Sequence, residues 1–127
     1  MGVTEMVTAA KGLIVNLTVD QVAAELESDG TVLVDVREPN EATTDGVIPG
    51  SVSAPRGMIE FHADPTSPYH MGEFDGDRRL ILYCKSGGRS ALAAATLQQM
   101  GFRNVAHLDG GLTAWKEAQR PVKTTAA

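Results

Sequence analysis

The stretch YCKSGGRS, residues 83 to 90, holds the only cysteine of this 127-residue chain. A lone cysteine cannot form an internal disulfide, so Cys84 either packs as a small apolar residue or acts as a nucleophile. The glycines that follow it let backbone amides turn toward one point, and two cations add positive charge. We therefore predict a loop that binds an anion and favours the nucleophilic thiolate. The predicted binding residues are Lys85, Ser86, Gly87, Gly88, Arg89 and Ser90.

The elements around this loop predict its position at one edge of a sheet. The apolar run LILY before Cys84 is typical of a buried strand, and an apolar stripe from Ser90 to Met100 indicates a helix that Gly101 caps. Because strand, helix and strand alternate, we expect an α/β fold with a parallel sheet and helices on both faces. Cys84 would then lie at the carboxyl end of a strand, where such sheets bind ligands. The other predicted strands are 31–36 and 105–108, and the other predicted helices are 19–26, which begins with a capping box at Thr18, and 112–118.

The segment from Arg56 to Arg79 is predicted to be a long irregular connection with one helical turn near residues 58–62. It contains His62, Asp64 and His70, but their spacing matches no known metal-ligand pattern. We therefore expect no metal here and interpret the segment as a lid beside the pocket.

Composition limits the partners and the compartment. The net charge of −5 and the pI near 5.1 argue against a nucleic-acid or anionic-membrane surface. We expect one domain over residues 1–127, with an ordered core at about 15–122 between two short tails. No apolar run is long enough to span a bilayer, and the N-terminus lacks a signal-peptide pattern, so we expect a cytoplasmic protein with a reduced thiol.

Four segments, in this order and spacing, resemble the single-domain rhodanese family of sulfurtransferases. They are LVDVREPNE at 33–41, GVIPGS at 46–51, CKSGGRS at 84–90 and GFRNVAHLDGGLTAWKEAQRPV at 101–122. The resemblance extends from Leu17 to Val122. It implies a five-stranded parallel sheet flanked by helices, and a persulfide on Cys84 whose sulfur the loop amides bind.

This resemblance implies a sulfurtransferase that needs no metal or organic cofactor. The Cys84 thiolate would attack the sulfane sulfur of an anionic donor such as thiosulfate, and a thiol or a sulfur-carrier protein would then accept that sulfur. Lys85 and Arg89 would offset the repulsion between the donor and the thiolate. The amides of residues 85–89 would form the anion cradle, while Ser86 and Ser90 would donate hydrogen bonds.

Two other functions fit part of the pattern. A cysteine-dependent phosphatase or arsenate reductase also uses a loop from cysteine to arginine, but its five intervening residues would place the arginine at Ser90, whereas four residues separate Cys84 from Arg89 here. A non-catalytic binding or regulatory module can share the same fold. The complete loop around Cys84 argues against such a module.

Three residues outside the loop are supporting candidates for the site. By resemblance Asp35 and Arg37 lie near the loop, where they either form a bracing pair or contact the substrate, and Arg56 either helps to bind an anionic donor or is solvated. We expect His107 and Trp115 to pack in the core.

Overall fold

The computed structural model describes residues 1–125 and contains one five-stranded parallel sheet in the order β1-β5-β4-β2-β3. The strands are β1 Val15–Leu17, β2 Thr31–Asp35, β3 Val52–Ser53, β4 Arg79–Tyr83 and β5 Val105–Leu108. Every neighbouring pair of strands is parallel. The predicted α/β fold with a five-stranded parallel sheet is therefore confirmed.

The helices are α1 Val3–Lys11, α2 Val19–Glu25, α3 Pro39–Asp45, α4 Ile59–Ala63, α5 Gly88–Gln99 and α6 Gly111–Glu117, with a 3-10 turn at Arg56–Met58. Those that lie between consecutive strands, α2 to α5, provide the crossovers that parallel strands require. The capping box predicted at Thr18 is present, because its hydroxyl accepts a hydrogen bond from the Gln21 amide and the Gln21 side chain accepts one from the Thr18 amide. It fixes the start of α2.

Both faces of the sheet are buried, because alternate residues of its central strands point to opposite sides. Leu80 and Leu82 of β4 pack in one cluster with α1, α4 and α5. Ile81 and Tyr83 pack in a second cluster with α2 and α6. All four side chains are fully buried. This two-sided burial makes β4 a rigid support for the residue that follows it, Cys84.

The N-terminal residues differ from the expected short tail. Residues 3–11 form α1, which packs along α5 and buries Ala10 in the core. Five of its nine residues are apolar, and its packing on α5 supplies stability that an isolated nine-residue helix lacks. At the other end, Lys123 exchanges two backbone hydrogen bonds of 2.8 Å with Val47, and residues 126 and 127 lie outside the described part.

The segment between β3 and β4 contains the expected helical turn, as the 3-10 turn followed by α4. Farther along, Phe74 packs edge-to-face on Phe102, with ring centroids 6.3 Å apart, beyond the C-terminal end of α5. Pro65 and Gly76 lie against that same end. Cys84 precedes the opposite end of this 12-residue helix, which is about 18 Å long. The contacts of Pro65, Phe74 and Gly76 therefore do not support the expected lid beside the pocket.

Residues 1–125 offer neither a membrane-spanning helix nor a cluster of metal ligands. None of the helices there is both long enough and apolar enough to cross a membrane. The same residues contain no group of three or more histidine, cysteine or acidic side chains arranged to hold a metal ion.

Candidate active site

Cys84 follows the last residue of β4, and four residues later along the chain the helix α5 begins. Its side chain is buried, and its sulfur accepts hydrogen bonds from two backbone amides. The Gly87 N–H lies 3.1 Å from Sγ and the Ser90 N–H lies 3.4 Å from it. Because Ser90 is in the first turn of α5, the positive end of the helix dipole also faces the sulfur. Two amide donors and the positive end of a helix dipole therefore surround Sγ.

Gly87 makes this geometry possible. Its φ of 107° lies in the left-handed region, and an added Cβ would stand 3.3 Å from the backbone nitrogen of Gly110. A residue with a side chain would be strained by the backbone angle and crowded by its neighbour. The next two amides, those of Gly88 and Arg89, have no acceptor within the helix because they lie in its first turn. They remain able to bind an atom attached to Sγ.

The N-terminus of α6 holds the start of the loop in place. The amide of Leu112 donates to the Cys84 carbonyl at 2.9 Å, and the amide of Thr113 donates to the Lys85 carbonyl at 3.0 Å. Gly111 allows this approach: its φ is 60°, and an added Cβ would lie 2.5 Å from both carbonyl oxygens. Gly111 therefore has a structural role in the site, because it lets α6 approach the backbone of the loop.

The two cations of the loop have different surroundings. Arg89 forms a two-pronged ion pair with Glu41 of α3, with nitrogen to oxygen distances of 2.6 and 3.0 Å. The hydrogen bonds from Arg89 lower the pKa of Glu41 to about 2, and the same pairing raises the pKa of Arg89. Much of the Arg89 charge is therefore balanced by Glu41, which the sequence analysis did not select.

Lys85 lies instead at the rim of a groove of about 290 Å³ beside the loop. The groove lies between α3 and α6 and has cationic, anionic and apolar walls. It is lined by Asp45, Lys85, Leu112, Thr113, Lys116 and Glu117. Ser86, the next residue of the loop, is also exposed. Among the loop cations, Lys85 is the one placed to meet a molecule that approaches from solvent.

Behind the sulfur, a chain of buried hydrogen bonds leads from Ser90 to the first strand. The Ser90 hydroxyl lies 3.5 Å from the Cys84 sulfur and 2.9 Å from Nδ1 of His107. Nε2 of His107 lies 2.7 Å from Oδ1 of Asn16. His107 is fully buried, as predicted, and burial lowers its pKa to about 4. Asn16 was missed because β1 is short and no motif marks it.

Asp35 and Arg37 form a buried ion pair beside the end of β4. Arg37 donates to the Asp35 carboxylate through Nε at 2.9 Å and Nη2 at 2.8 Å, and its Nη2 also donates to the Gly46 carbonyl at 2.8 Å. The guanidinium carbon lies 5.5 Å from the ring centre of Tyr83, the residue before Cys84. The two side chains are 4% and 0% exposed. The geometry matches the bracing role rather than direct contact with a substrate.

Arg56 points away from the loop. Its guanidinium donates to the hydroxyl of Thr96 in the middle of α5 at 3.3 Å and lies 3.4 Å from the carboxylate of Glu60. Of the residues selected from sequence, the structure places Gly87 and Ser90 in contact with the Cys84 sulfur, whereas Lys85 and Ser86 are exposed and Arg89 pairs with Glu41. Asp35 and Arg37 lie beside Tyr83, and Arg56 lies outside the loop.

Comparisons with known proteins agree with this arrangement. The model of the Rhodanese-like domain family matches residues 18–118. A sulfurtransferase of Allochromatium vinosum is 35% identical over 96 residues, which cover 76% of this chain and 81% of that protein. The thiosulfate sulfurtransferase GlpE of Pseudoalteromonas translucida is 32% identical over 103 residues, covering 81% of this chain and 90% of that protein.

A solved structure is also similar over almost the whole chain. It is a Rhodopseudomonas palustris protein of unknown function, described as a possible tyrosine phosphatase, with 44% sequence identity and a TM-score of 0.92. The match covers 97% of this chain and 95% of the other. Its range includes α1, which lies before the residues that the family model matches.

Proposed function

The chain belongs to the rhodanese-like domain family and is a rhodanese-type sulfurtransferase, and we propose that it transfers a sulfane sulfur through a persulfide on Cys84. We propose residues 1–127 as one catalytic domain, with thiosulfate or a similar small anion as its donor. The observation that carries the proposal is the position of the Cys84 sulfur, which accepts hydrogen bonds from two backbone amides at the start of α5.

The first half-reaction is nucleophilic attack on the donor. The Cys84 thiolate forms a bond to the outer sulfur of thiosulfate, the sulfur–sulfur bond of the donor breaks, and sulfite leaves with the electron pair. The product is a persulfide whose outer sulfur is negatively charged. The amides of Gly88 and Arg89 lack acceptors within α5, so they are suited to bind that outer sulfur.

Positive charge near the loop helps a dianionic donor to approach a thiolate. We assign this role mainly to Lys85, because Glu41 already balances the charge of Arg89. One unit charge about 4 Å away contributes roughly 4 kcal/mol at an effective dielectric constant near 20, before the cost of removing water. The net charge of −5 opposes the donor less, because salt screens it over about 10 Å.

In the second half-reaction an acceptor removes the outer sulfur and restores Cys84. Cyanide would leave as thiocyanate, and a thiol would leave as a persulfide. The groove beside Lys85 carries two cations and two anions around an apolar floor, which suits a thiol with charges of both signs or a sulfur-carrier protein. We place this reaction in the cytoplasm, where the lone cysteine would remain reduced between turnovers.

Phosphatase activity, which is named as a possibility for the Rhodopseudomonas palustris protein, fits this site less well. Phosphatase loops have five residues between cysteine and arginine, and this loop has four. In addition, the Arg89 guanidinium already binds the Glu41 carboxylate through two hydrogen bonds, so it is not directed toward a phosphate over Cys84. A purely regulatory module would not need a sulfur held by two amides.

Steady-state assays separate these possibilities. The wild-type protein should convert thiosulfate and cyanide into thiocyanate and sulfite, Cys84→Ser should not, and neither should hydrolyse p-nitrophenyl phosphate. Phosphate release that depends on Cys84, without thiocyanate formation, would overturn the proposal in favour of a phosphatase. If neither activity were detected, the regulatory module would replace it.

The role of Lys85 has its own test in the same assay. Lys85→Glu should raise the thiosulfate concentration at half-maximal rate about tenfold or more, because it reverses a charge beside the donor. Arg78→Glu is the matched control, since it makes the same change of charge at an exposed residue before β4, at the opposite end of that strand from Cys84. Equal donor constants in the two variants would remove Lys85 from the donor site.

A further inference from the structure

We propose that His107 is a positioning residue for the nucleophile: it takes up the Cys84 thiol proton through the Ser90 hydroxyl and so stores that proton while the sulfur reacts. The proposal rests on the proposed role of Cys84 as the nucleophile. The side chains of this hydrogen-bonded chain lie behind the reacting sulfur in the core and come from α5, β5 and β1.

The hydrogen bonds around Asn16 fix the direction of the chain. Its Nδ2 donates to the Lys11 carbonyl at 2.9 Å and to the Ile14 carbonyl at 3.3 Å, so its Oδ1 must face His107. An amide oxygen only accepts hydrogen bonds, so His107 Nε2 carries a proton and donates it to that oxygen. In a neutral imidazole, Nδ1 is therefore the acceptor.

This assignment decides where the Ser90 proton points in the thiol form. The Ser90 hydroxyl donates to Nδ1 of His107 at 2.9 Å, its shortest contact, rather than to the Gly87 carbonyl at 3.3 Å. Its oxygen then accepts from the Cys84 thiol at 3.5 Å. Every side-chain donor and acceptor between Cys84 and Asn16 has a partner in this state.

Loss of the thiol proton to solvent would break this pattern. The Ser90 hydroxyl has one proton, and both a Cys84 thiolate and a neutral His107 Nδ1 would require it. Either the thiolate would keep only its two amide donors, or the buried Nδ1 of His107 would be left without a donor, which costs about 1–3 kcal/mol. Transfer of the proton along the chain avoids this cost.

After the transfer every hydrogen bond of the chain is kept. In the bonds between Cys84 and Ser90 and between Ser90 and His107, donor and acceptor have exchanged roles. The thiol proton moves to Ser90 Oγ while the Ser90 proton moves to His107 Nδ1, so one proton has passed from sulfur to nitrogen. The thiolate then accepts from the Ser90 hydroxyl and from the amides of Gly87 and Ser90. The imidazolium donates to Ser90 Oγ and to Asn16 Oδ1. No oxidant, metal or further reactant is needed.

The groups that face His107 fit a temporary proton store. Burial keeps the imidazole neutral while Cys84 is a thiol, because it lowers the pKa of His107 to about 4. Asp109, after β5, favours the imidazolium, while Lys11 of α1 opposes it, and these two side chains pair with each other at 3.0 Å. The Cys84 thiolate supplies the remaining negative charge at the moment of transfer. The loop cations Lys85 and Arg89 act on that thiolate from the solvent side.

The stored proton returns to Cys84 at the end of each catalytic cycle. It stays on His107 while the thiolate attacks the donor and sulfite leaves, and while the outer sulfur of the persulfide passes to the acceptor. When the acceptor departs, Cys84 is again a thiolate, and the proton returns through Ser90 to Sγ. Cys84 and His107 are restored as thiol and neutral imidazole.

The rate of Cys84 alkylation by iodoacetamide between pH 5.5 and 7.5 tests the proposal, because transfer within the protein does not depend on the proton concentration of the solvent. Wild-type rates should change by less than about threefold over this range. In His107→Asn the new side chain can accept from Ser90 but cannot store a proton, so the rate should rise about tenfold per pH unit. Ser90→Ala, which removes a single oxygen, should behave in the same way.

His70→Asn is the matched control, because His70 is exposed and contacts the Phe74 carbonyl away from the loop. It should keep the wild-type profile. A wild-type rate that rises tenfold per pH unit would overturn the proposal without any variant. A flat profile in His107→Asn or Ser90→Ala would overturn it as well, because the sulfur would then ionise independently of the chain. Should His107→Asn fail to fold, Ser90→Ala decides.

Alkylation also separates this inference from the proposed function. Iodoacetamide reports the ionisation of Cys84 whether or not thiosulfate is a donor. If the alkylation profiles are as predicted and no sulfur transfer occurs, the proton store stands and the sulfurtransferase proposal fails. If sulfur transfer occurs but the wild type, His107→Asn and Ser90→Ala have the same alkylation profile, the sulfurtransferase proposal stands and the proton store fails.

Discussion

Asp35→Asn should lower the free energy of unfolding by about 3–5 kcal/mol at pH 7, because it leaves the buried Arg37 guanidinium without its counter-charge. The substitution keeps the shape of the side chain and an oxygen that can accept from Arg37. Only the negative charge is lost. The effect therefore measures charge pairing rather than packing.

The magnitude follows from the distance and the burial of the pair. At 2.8 Å and an effective dielectric constant near 20, the attraction between the two charges is about 6 kcal/mol. Removing both groups from water costs several kcal/mol for each ion, so the pair as a whole stabilises the fold little. Loss of one partner is costly because the cost of burying the other remains.

A double-mutant cycle with Arg37→Met separates the attraction between the two charges from the cost of burying each of them. Urea unfolding would be followed by the fluorescence of Trp115, which is the only tryptophan and is 4% exposed. The double variant Asp35→Asn, Arg37→Met should be more stable than the sum of the single effects predicts, by about 2 kcal/mol or more. The control is Asp20→Asn, which removes a carboxylate that is 88% exposed and should change stability by less than about 1 kcal/mol.

Two results would refute this account of the pair. One is a cost for Asp35→Asn that equals the cost for Asp20→Asn, which would mean that the buried charge is not compensated by Asp35. The other is strict additivity in the cycle, which would mean that the two side chains contribute independently.

Two further predictions concern the surroundings of the loop. Glu41→Gln should remove about 1–2 kcal/mol of stability, after allowance for the 39% exposure of the Arg89 side chain. Because the pKa of Glu41 falls from 4.5 to about 2 on folding, this stability is complete above pH 4.5 and is lost as the pH falls toward 2, so urea midpoints of the two proteins should converge there. Gly111→Ala should displace the carbonyl of Cys84 and reduce the rate of sulfur transfer at least about tenfold. The control is Gly50→Ala, because Gly50 also has a positive φ but has open space around it. This variant should lose only about 1–2 kcal/mol of stability. Equal activities of the two alanine variants would contradict the bracing role of α6.

The sequence predicts the sheet and the loop well because local patterns determine both. The run from Thr31 and the run LILY are short, apolar and without alternation, which is typical of a parallel strand that is covered on both faces. The spacing of Cys84, the two glycines and the start of α5 lies within seven residues. An anion-binding loop of this kind can therefore be identified without knowledge of the rest of the fold.

The surroundings of the loop depend on distant segments and could not be predicted in the same way. Glu41 meets Arg89 across 48 positions, and Asn16 meets His107 across 91. Nothing local in the sequence signals either contact. The helix α1 was missed because its stability comes from packing on α5 rather than from its own composition. The helical spacing of its apolar residues at positions 3, 6, 7 and 10 was the available signal.

The central claim is that Cys84 carries the transferred sulfur, and intact mass spectrometry tests it most directly. Protein incubated with thiosulfate and freed of excess donor should gain one sulfur atom, about 32 Da, and should lose it again when cyanide is added. Cys84→Ser should gain nothing. An unchanged mass of the wild-type protein, or an equal gain in Cys84→Ser, would contradict the account.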